Sequence, residues 1–249
     1  GVKWLEPDAI KKTYGIVSQG GILSDTAASV DAYQMAHELI AFNVKKGMKV
    51  FDQTEIKSIQ DQGKFPKVIT QENHTIRAQK IVFCTGFESL NLLKEKVADL
   101  IYTYATVSEP TQTYNKSLEK ILIWDTQDPY LYMRTTDDGR FLVGGEDSVY
   151  KDTILQQNIK EEKSKMLIKK LKKTLPDLDF IEDISWGGIF GTTKDGLPYI
   201  GESPEYKNCL FCLGFGGNGI TFSAQGRKII VDLLHNKENT LAPYYRFGR

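Results

Sequence analysis

The sequence has little cysteine and little histidine, and neither sign of charge is in excess. Its 249 residues contain three cysteines and three histidines, and 32 basic side chains balance 32 acidic ones. Three cysteines are too few for a disulfide framework, so we expect a reducing, cytoplasmic setting. A net charge of zero argues against partners that are bound through charge, namely nucleic acids and anionic membranes.

Long apolar runs are also absent. No run approaches the ~20 residues that span a bilayer, and the charged residues 1–12 lack the apolar core of a signal peptide. The chain begins with Gly1 rather than methionine, from which we expect a trimmed chain. A hydrophobic content of 41% excludes disorder and predicts an ordinary globular protein without a membrane partner.

Predicted helices and strands alternate along the chain, which indicates a mixed α/β fold. Helices are predicted after Ser24-Asp25-Thr26 as far as Gly47, before Pro176 on a stripe of leucines and isoleucines, and over 219–235. Strands are predicted over 48–51, 54–60, 67–71, 75–78, 80–84, 101–108, 120–124, 130–135, 140–144, 184–189 and 209–213. The apolar run 80–84 is typical of a strand buried on both faces of a parallel sheet. Because two sheets draw on alternating pieces of the chain, we expect two discontinuous domains.

Cys209 and Cys212 form a C-x-x-C pair inside the apolar run 209–213. A thioredoxin-type motif needs a helix start there, and a zinc site needs a second pair of ligands. Neither is present in the sequence. We therefore predict that both cysteines are small buried side chains of a core strand, pointing to its opposite faces, and we expect no metal site.

A glycine-rich segment, Gly214-Phe215-Gly216-Gly217-Asn218-Gly219, follows this strand and begins the last long helix. It satisfies G-x-G-x-x-G, the pattern of a dinucleotide pyrophosphate loop. That interpretation needs a further strand ending in an acidic residue about 20 positions on, and only the short, polar stretch 236–249 follows. A purely structural glycine turn is a second interpretation. We favour a third, a helix start that presents backbone N–H groups to another electron-rich ligand atom.

Four segments carry a resemblance to a known family. They are 81–86, 130–145, Asp195-Gly196-Leu197-Pro198-Tyr199-Ile200-Gly201, and 210–220. In order and spacing they resemble the D-amino-acid-oxidase-like flavoproteins, which include glycine oxidase, sarcosine oxidase and putrescine-type amine oxidoreductases. The resemblance runs from about Gly21 to Leu234 and covers roughly the C-terminal two-thirds of the family. The strand–glycine loop–helix–strand unit with which the family begins is not in this sequence.

The resemblance implies the fold and the domains. The chain is expected to be α/β, with part of an FAD-binding Rossmann-like domain that lacks its N-terminal βαβ unit, interleaved with an antiparallel-sheet substrate domain. Residues 21–96 and 185–249 would form the FAD-binding portion. Residues 1–20 and 97–184 would form the substrate-binding domain.

The resemblance also implies the cofactor site. The cofactor would be non-covalent FAD, because Gly188 stands near where the sarcosine oxidase branch has its flavin-linking cysteine. The glycine-rich helix start would lie under the pyrimidine end of the flavin, near N1 and O2, where helix N-terminal amides stabilise negative charge. Ile56 matches an adenine contact, and Thr85 and Gly86 match the phosphate-ribose contact. The helix-start residues are Gly214, Phe215, Gly216, Gly217, Asn218, Gly219, Ile220 and Thr221.

Three residues are implied for the substrate. Tyr130 matches a tyrosine over the flavin in glycine oxidase, and Arg134 lies in the same predicted strand. Phe190 stands where glycine oxidase has the arginine that clamps the substrate carboxylate, and phenylalanine cannot form those paired hydrogen bonds. We therefore expect an amine, or a carboxylate held from elsewhere by Arg134.

The function implied is FAD-dependent oxidation of the C–N bond of an amine or amino acid, with hydride transfer to the flavin and hydrolysis of the imine. No catalytic side chain is expected, since the flavin performs the chemistry. We expect the isolated chain to bind FAD weakly and to be inactive, and to form homo-oligomers through an exposed sheet edge. The alternatives are a truncated, non-catalytic relative that serves as a binding or assembly module, and an NAD-dependent dehydrogenase that uses Gly214–Gly219 as its phosphate loop.

Overall fold

The computed structural model describes residues 1–111 and 114–249. The helices are α1 Pro7–Tyr14, α2 Ala32–Lys45, α3 Thr153–Asn158, α4 Lys160–Thr174, α5 Gly219–Leu234 and α6 Ala242–Tyr245, with 3₁₀ turns at Gly86–Leu92 and Lys116–Lys120. The strands are β1 Val2–Leu5, β2 Gly21–Ser24, β3 Ile56–Gln60, β4 Lys67–Thr70, β5 Thr75–Arg77, β6 Ile81–Phe83, β7 Asp99–Ser108, β8 Ile123–Trp124, β9 Leu131–Thr135, β10 Phe141–Val149, β11 Glu182–Thr192, β12 Tyr199–Glu202 and β13 Cys209–Leu213.

The chain forms two compact units, each built from two separate stretches. The first unit comprises Gly1–Ser29 and Ile101–Ile189, and the second comprises Val30–Leu100 and Phe190–Arg249. Residues 21–29, which the sequence analysis assigns to the FAD-binding portion, lie in the first unit because β2 pairs with β1 in antiparallel register, Val2 opposite Ser24. Residues 185–189 also lie in the first unit, as part of β11.

The first unit is organised around a five-stranded sheet in the order β11-β7-β10-β9-β8. One face of this sheet is buried, with Leu131 and Met133 of β9 packed in the same cluster as Leu167 and Leu171 of α4. The predicted strands 130–135 and 140–144 are confirmed, and the turn Asp137-Asp138-Gly139 joins them as an antiparallel hairpin, β9 to β10. The leucine-rich helix is in fact two helices, because α3 ends before Ile159 and α4 begins anew after it.

The second unit contains two three-stranded sheets, β12-β13-β6 and β3-β4-β5. β13 lies parallel to β6, and every residue of β13 is buried. Cys209 packs in one apolar cluster and Cys212 in another, which confirms the prediction of two core cysteines on opposite faces. The parallel pairing of β6 is also confirmed, but its Val82 is 37% exposed, so burial on both faces was wrong for this strand.

Two predictions for residues 24–51 were wrong. Residues 48–51 form no strand, because none of the strands among residues 1–111 and 114–249 pairs with them and a strand needs a ladder partner. The helix α2 starts later than predicted, after Asp31, whose carboxylate accepts a hydrogen bond from the Gln34 N–H at 2.9 Å. None of its residues is buried, and Phe42 is 54% exposed.

None of the helices in the described ranges combines the length and the apolar character that crossing a membrane requires.

Candidate functional site

Most of the predicted cofactor residues follow the carboxyl ends of two neighbouring strands in the second unit, β6 and β13. β13 and β6 run parallel with Phe211 opposite Phe83, so the chain leaves both strands at the same edge. From β6 it continues into Thr85 and Gly86, and from β13 into Gly214. Ligands of α/β proteins bind outside the carboxyl ends of parallel strands, so this edge is a candidate site.

The turn after β13 depends on glycine at two positions. Gly214 has φ +78°, and a Cβ there would lie 2.7 Å from Thr193 Cγ2. Gly216 has φ +54°, and its N–H donates to the Gly191 carbonyl at 2.9 Å. Side-chain-bearing residues rarely adopt such φ values. The glycines therefore allow the chain to turn sharply from the buried strand into α5.

The N-terminus of α5 presents unpaired backbone donors. Asn218 precedes the helix without forming a side-chain cap, and the first intrahelical bond runs from the Phe222 N–H to the Asn218 carbonyl at 3.0 Å. The N–H groups of Gly219, Ile220 and Thr221 come before that bond and have no acceptor within the helix. A Cβ on Gly219 would meet nothing within 4 Å, so space is open beside these donors. Together with the helix dipole they fit an electron-rich group such as the N1–C2=O edge of a flavin.

The position of this helix start is fixed by packing farther along α5. Gly226 lies so close to β13 that a Cβ there would be 2.6 Å from Cys212 Sγ. Ile229 and Ile230 are buried in the same cluster as Cys212. The contact at Gly226 therefore holds α5 closely against the strand that leads into the glycine turn.

Two further predicted residues belong to the second unit but lie outside this strand edge. Ile56 is the first residue of β3, in the other sheet, and is 43% exposed. Phe190 is half-buried in β11 and directly precedes Gly191, the residue whose carbonyl binds the Gly216 N–H. A backbone hydrogen bond made by its neighbour Gly191 thus connects Phe190, but not Ile56, with the glycine turn.

The predicted substrate residues of the first unit share one face of the five-stranded sheet. Tyr130 directly precedes β9, and Arg134 lies within it, so that Tyr130, Tyr132 and Arg134 alternate with the buried Leu131 and Met133. These three side chains therefore lie on the face opposite the apolar core. The Arg134 guanidinium donates a long hydrogen bond, 3.4 Å, to the Thr135 carbonyl.

Sequence reasoning missed three residues on the same face, namely Tyr132, Thr103 and Asp147. Burial raises the pKa of the Asp147 carboxyl, and the neighbouring hydroxyls of Thr103 and Tyr130 partly offset this. Burial, with the negative charge of Asp147 beside it, also raises the pKa of Tyr130. The ring of Tyr132 lies across Gly144, since a Cβ on Gly144 would fall 2.5 Å from Tyr132 Cε2.

A bulge in β10 gives the side chains of the adjacent residues Glu146 and Asp147 different surroundings. The register of β10 against β7 shifts between Gly145 and Ser148, and Glu146 has φ +55°. Glu146 is 2% exposed and forms ion pairs with Lys163 at 3.3 Å and with Lys170. Strict alternation along a strand cannot show such a bulge, so the position of Asp147 could not be predicted from the pattern of residues.

The ends of β6 and β13, the glycine turn and the open helix start form one candidate site, and comparison with known families assigns the class of protein. A family model described as "DAO: FAD dependent oxidoreductase" matches residues 1–233. The chain belongs to this family of FAD-dependent oxidoreductases. The resemblance stated in the sequence analysis and the predicted fold class are thereby confirmed.

The relatives are enzymes that act on amino acids. The chain is 27% identical over 245 residues to a glycine oxidase of Bacillus licheniformis, which covers 94% of this chain and 62% of that protein. It is 23% identical over 225 residues to a D-amino acid dehydrogenase of Helicobacter pylori, covering 88% of this chain and 52% of that protein. The chain thus spans less than two-thirds of the length of these relatives.

A solved structure supports the fold. The crystal structure of glycine oxidase from Geobacillus kaustophilus superposes with a TM-score of 0.81 at 20% identity, covering all of this chain and 67% of that one. At this identity the likeness establishes the fold alone.

The NAD interpretation of Gly214–Gly219 finds no support, because after α5 the chain continues into the short helix α6 and not into a strand.

Proposed function

We propose that the protein containing this chain oxidises the C–N bond of an amine or amino acid. FAD, when bound, would accept the hydride from the carbon that bears nitrogen, and water would hydrolyse the resulting imine. Membership of the family and the activities in the names of the relatives support this reaction class. The observation that carries the proposal is the open, uncapped start of α5 at the carboxyl end of β13.

In this proposal the second unit binds the cofactor. The N–H groups of Gly219, Ile220 and Thr221 would donate to the N1–C2=O edge and stabilise the negative charge that reduction creates there. Gly214, Phe215, Gly216, Gly217 and Asn218 would form the turn beside it. Thr85 and Gly86 would contact the phosphate-ribose portion, and the Ile56 backbone would contact the adenine.

The first unit binds the substrate in this proposal. Tyr130 and Arg134 lie on its open sheet face, where a small amine or amino acid would bind. Phe190, which belongs to the second unit, has no guanidinium with which to bind a carboxylate. A substrate carboxylate would therefore bind through Arg134, or the substrate would be an amine without a carboxylate.

The role of the helix start is tested by Asn218→Asp, with Asn218→Ser as the matched neutral control. Both residues are good N-caps, so α5 is retained in each variant. The aspartate places a negative charge where reduced flavin becomes anionic, so the midpoint potential of bound FAD is expected to fall. The serine variant is expected to keep the wild-type potential. Equal potentials in all three proteins would refute the proposed position of the flavin.

A second function is that of a non-catalytic binding or assembly module. The exposed apolar residues of α2 favour it, because large exposed apolar patches mark interaction surfaces. The two functions are distinguished by purifying the 249-residue chain, recording its flavin absorption, and then testing the intact protein. We expect this chain to bind little FAD, since residues 1–111 and 114–249 contain one glycine-rich strand-to-helix turn. For the intact protein, bleaching of the flavin by amines or amino acids supports the enzyme, and its absence with every amine and amino acid supports the module.

A further inference from the structure

The open face of the sheet in the first unit carries a carboxylate without a cation. Asp147 lies there beside Tyr130, Tyr132 and Thr103. The residue is half-buried, and its buried Oδ1 atom has no partner with good hydrogen-bond geometry, although the hydroxyls of Thr103 and Tyr130 lie near enough to lower the pKa of the carboxyl. The Thr103 hydroxyl is likewise buried and unpaired. Buried polar atoms without partners are costly and uncommon, so each of them calls for a physical explanation.

The neighbouring carboxylate, that of Glu146, differs from Asp147 because it is paired with cations. Glu146, one residue earlier, is paired with both Lys163 and Lys170. The charge of Lys163 lowers the pKa of Asp147 somewhat, and that of Glu146 raises it. The Lys163 ammonium itself lies 3.3 Å from Glu146 Oε2, so its hydrogen bond goes to the other carboxylate. Asp147 forms no ion pair with the residues that the structure describes.

The rings around Asp147 have the chemistry that a cation prefers. The ring centroids of Tyr130 and Tyr132 are 6.2 Å apart. Aromatic faces attract ammonium groups, and an ammonium has three donors that a carboxylate and two or three hydroxyls can accept. The face thus offers one negative charge, acceptor oxygens and aromatic surface in one place.

We propose that Asp147 binds an ammonium group of the ligand, with Tyr130, Tyr132 and Thr103 completing the site. The identification of that ligand with the substrate rests on the proposed function.

This contact constrains the substrate. A carboxylate stabilises the protonated form of the nitrogen that it holds. Loss of hydride from a carbon needs an unprotonated nitrogen beside it, because the lone pair forms the C=N bond. One nitrogen cannot satisfy both conditions at once. In this proposal the nitrogen at Asp147 stays protonated and the reacting nitrogen is a second one, so that the substrate class is a diamine or an amino acid with a basic side chain.

Direct binding tests the site without any turnover. The intact protein is titrated calorimetrically with n-butylammonium chloride and, separately, with n-butanol. We expect the ammonium to bind, the alcohol to bind at least tenfold more weakly, and Asp147→Asn to weaken ammonium binding about 10- to 100-fold, as for loss of a charge-assisted contact. Asp177→Asn removes the same charge from an exposed position of the first unit and is expected to change nothing. Equal ammonium binding by wild type and Asp147→Asn would overturn the proposal.

Misfolding is separated from lost binding by thermal unfolding. Asparagine has the shape of aspartate, so Asp147→Asn is expected to unfold at the wild-type temperature or above it. Asp147→Glu keeps the charge and is expected to recover part of the affinity. An Asp147→Glu variant as weak as Asp147→Asn, in a folded protein, would contradict a role of the charge.

Kinetics of the FAD-loaded protein separate this proposal from the function on which it rests. With 1,4-diaminobutane, Asp147→Asn is expected to raise KM at least tenfold and to leave kcat within about threefold, whereas KM for n-butylamine changes little. Reduction of the flavin by amines with an unchanged KM for the diamine would overturn the site and leave the function standing. Asp147-dependent binding of n-butylammonium without any flavin reduction would uphold the site and overturn the function.

Discussion

At the scale of single residues, the bulge in β10 gives two adjacent acidic side chains opposite environments. Glu146 is buried between two lysines, whereas Asp147 faces tyrosines and has an unpaired oxygen. A buried ion pair and a buried unpaired carboxylate differ in their effect on folding, because only the second leaves the cost of desolvation uncompensated. The stability of the protein should therefore respond differently to the loss of each charge.

Asp147→Asn is expected to stabilise the protein, and the gain should depend on pH. Folding raises the pKa of Asp147 above its ordinary value, mainly by burial, so folding disfavours the charged form. Below about pH 4 the group is protonated in both the folded and the unfolded chain, and the variant gains nothing. As the pH rises through the folded-state pKa the wild type loses stability, and the gain becomes complete above it. Urea unfolding of both proteins at several pH values measures this, and a gain that shrinks with rising pH would contradict it.

Gly144→Ala is expected to destabilise the first unit by about 1–3 kcal/mol, as overpacking does. The added Cβ would meet the ring of Tyr132, which lies across this glycine. The matched control is Gly188→Ala in β11, where a Cβ would meet nothing within 4 Å. Urea midpoints of the two variants should differ clearly. Equal midpoints would mean that Tyr132 moves aside freely and does not form part of a fixed face.

At the scale of helices and strands, α5 connects the core of the second unit to its glycine turn. Its helical range is read easily from sequence, because apolar residues recur with helical spacing after a glycine-rich start. Its closest contact is not, since Gly226 looks like an ordinary helix-weakening glycine until Cys212 is placed beside it. The structure explains this glycine by close approach of helix and strand.

Gly226→Ala is therefore expected to lower stability by about 1–2 kcal/mol, although alanine favours helix by about 1 kcal/mol. Cys212→Ala in the same chain removes the sulfur that the new Cβ would meet, so the double variant should lose less than the sum of the two single variants. Ser223→Ala, at an exposed position of α5, serves as the control. Additive losses in the double variant would show that the contact with Cys212 is not the cause.

The sequence predicts most accurately those elements that are buried on both faces. The strand 209–213 is wholly apolar and lies between two apolar clusters, so its pattern was sufficient. Residues 48–51 have an equally suggestive composition but pair with no strand among those described. Pairing depends on which other strand lies alongside, and local sequence does not contain that information. The glycine turn was predicted as a ligand site from its pattern, whereas Asp147 depends on a bulge that the pattern does not show.

At the scale of the whole molecule, the most unusual surface is that of α2. Tyr33, Leu39, Ile40 and Phe42 are each at least 44% exposed, and no residue of the helix is buried. Contiguous apolar surface of this kind promotes association. The sequence analysis predicted association through an exposed sheet edge, and β6 is an edge strand of the sheet β12-β13-β6. The helix α2 provides a second candidate surface.

The 249-residue chain is accordingly expected to self-associate as its concentration rises, as sedimentation velocity would show. Phe42→Glu places a charge on the α2 surface and should shift the distribution toward monomer. Ile154→Glu adds the same charge at an exposed position of α3 in the first unit and should leave the distribution unchanged. If Phe42→Glu leaves the distribution unchanged, association would have to proceed through another surface, such as the edge of β6.

The pairing of β6 with β13 also has a consequence for the order in which the molecule can assemble during synthesis. β6 leaves the ribosome long before β13, the strand that pairs with it, because most of the first unit lies between them in the chain. The five-stranded sheet is complete once β11 has emerged, whereas nascent β6 must wait with its backbone groups unpaired. A ribosome stalled when β11 has left the exit tunnel but Cys209 is still inside it should therefore carry a protease-resistant first unit and a second unit that is still digestible.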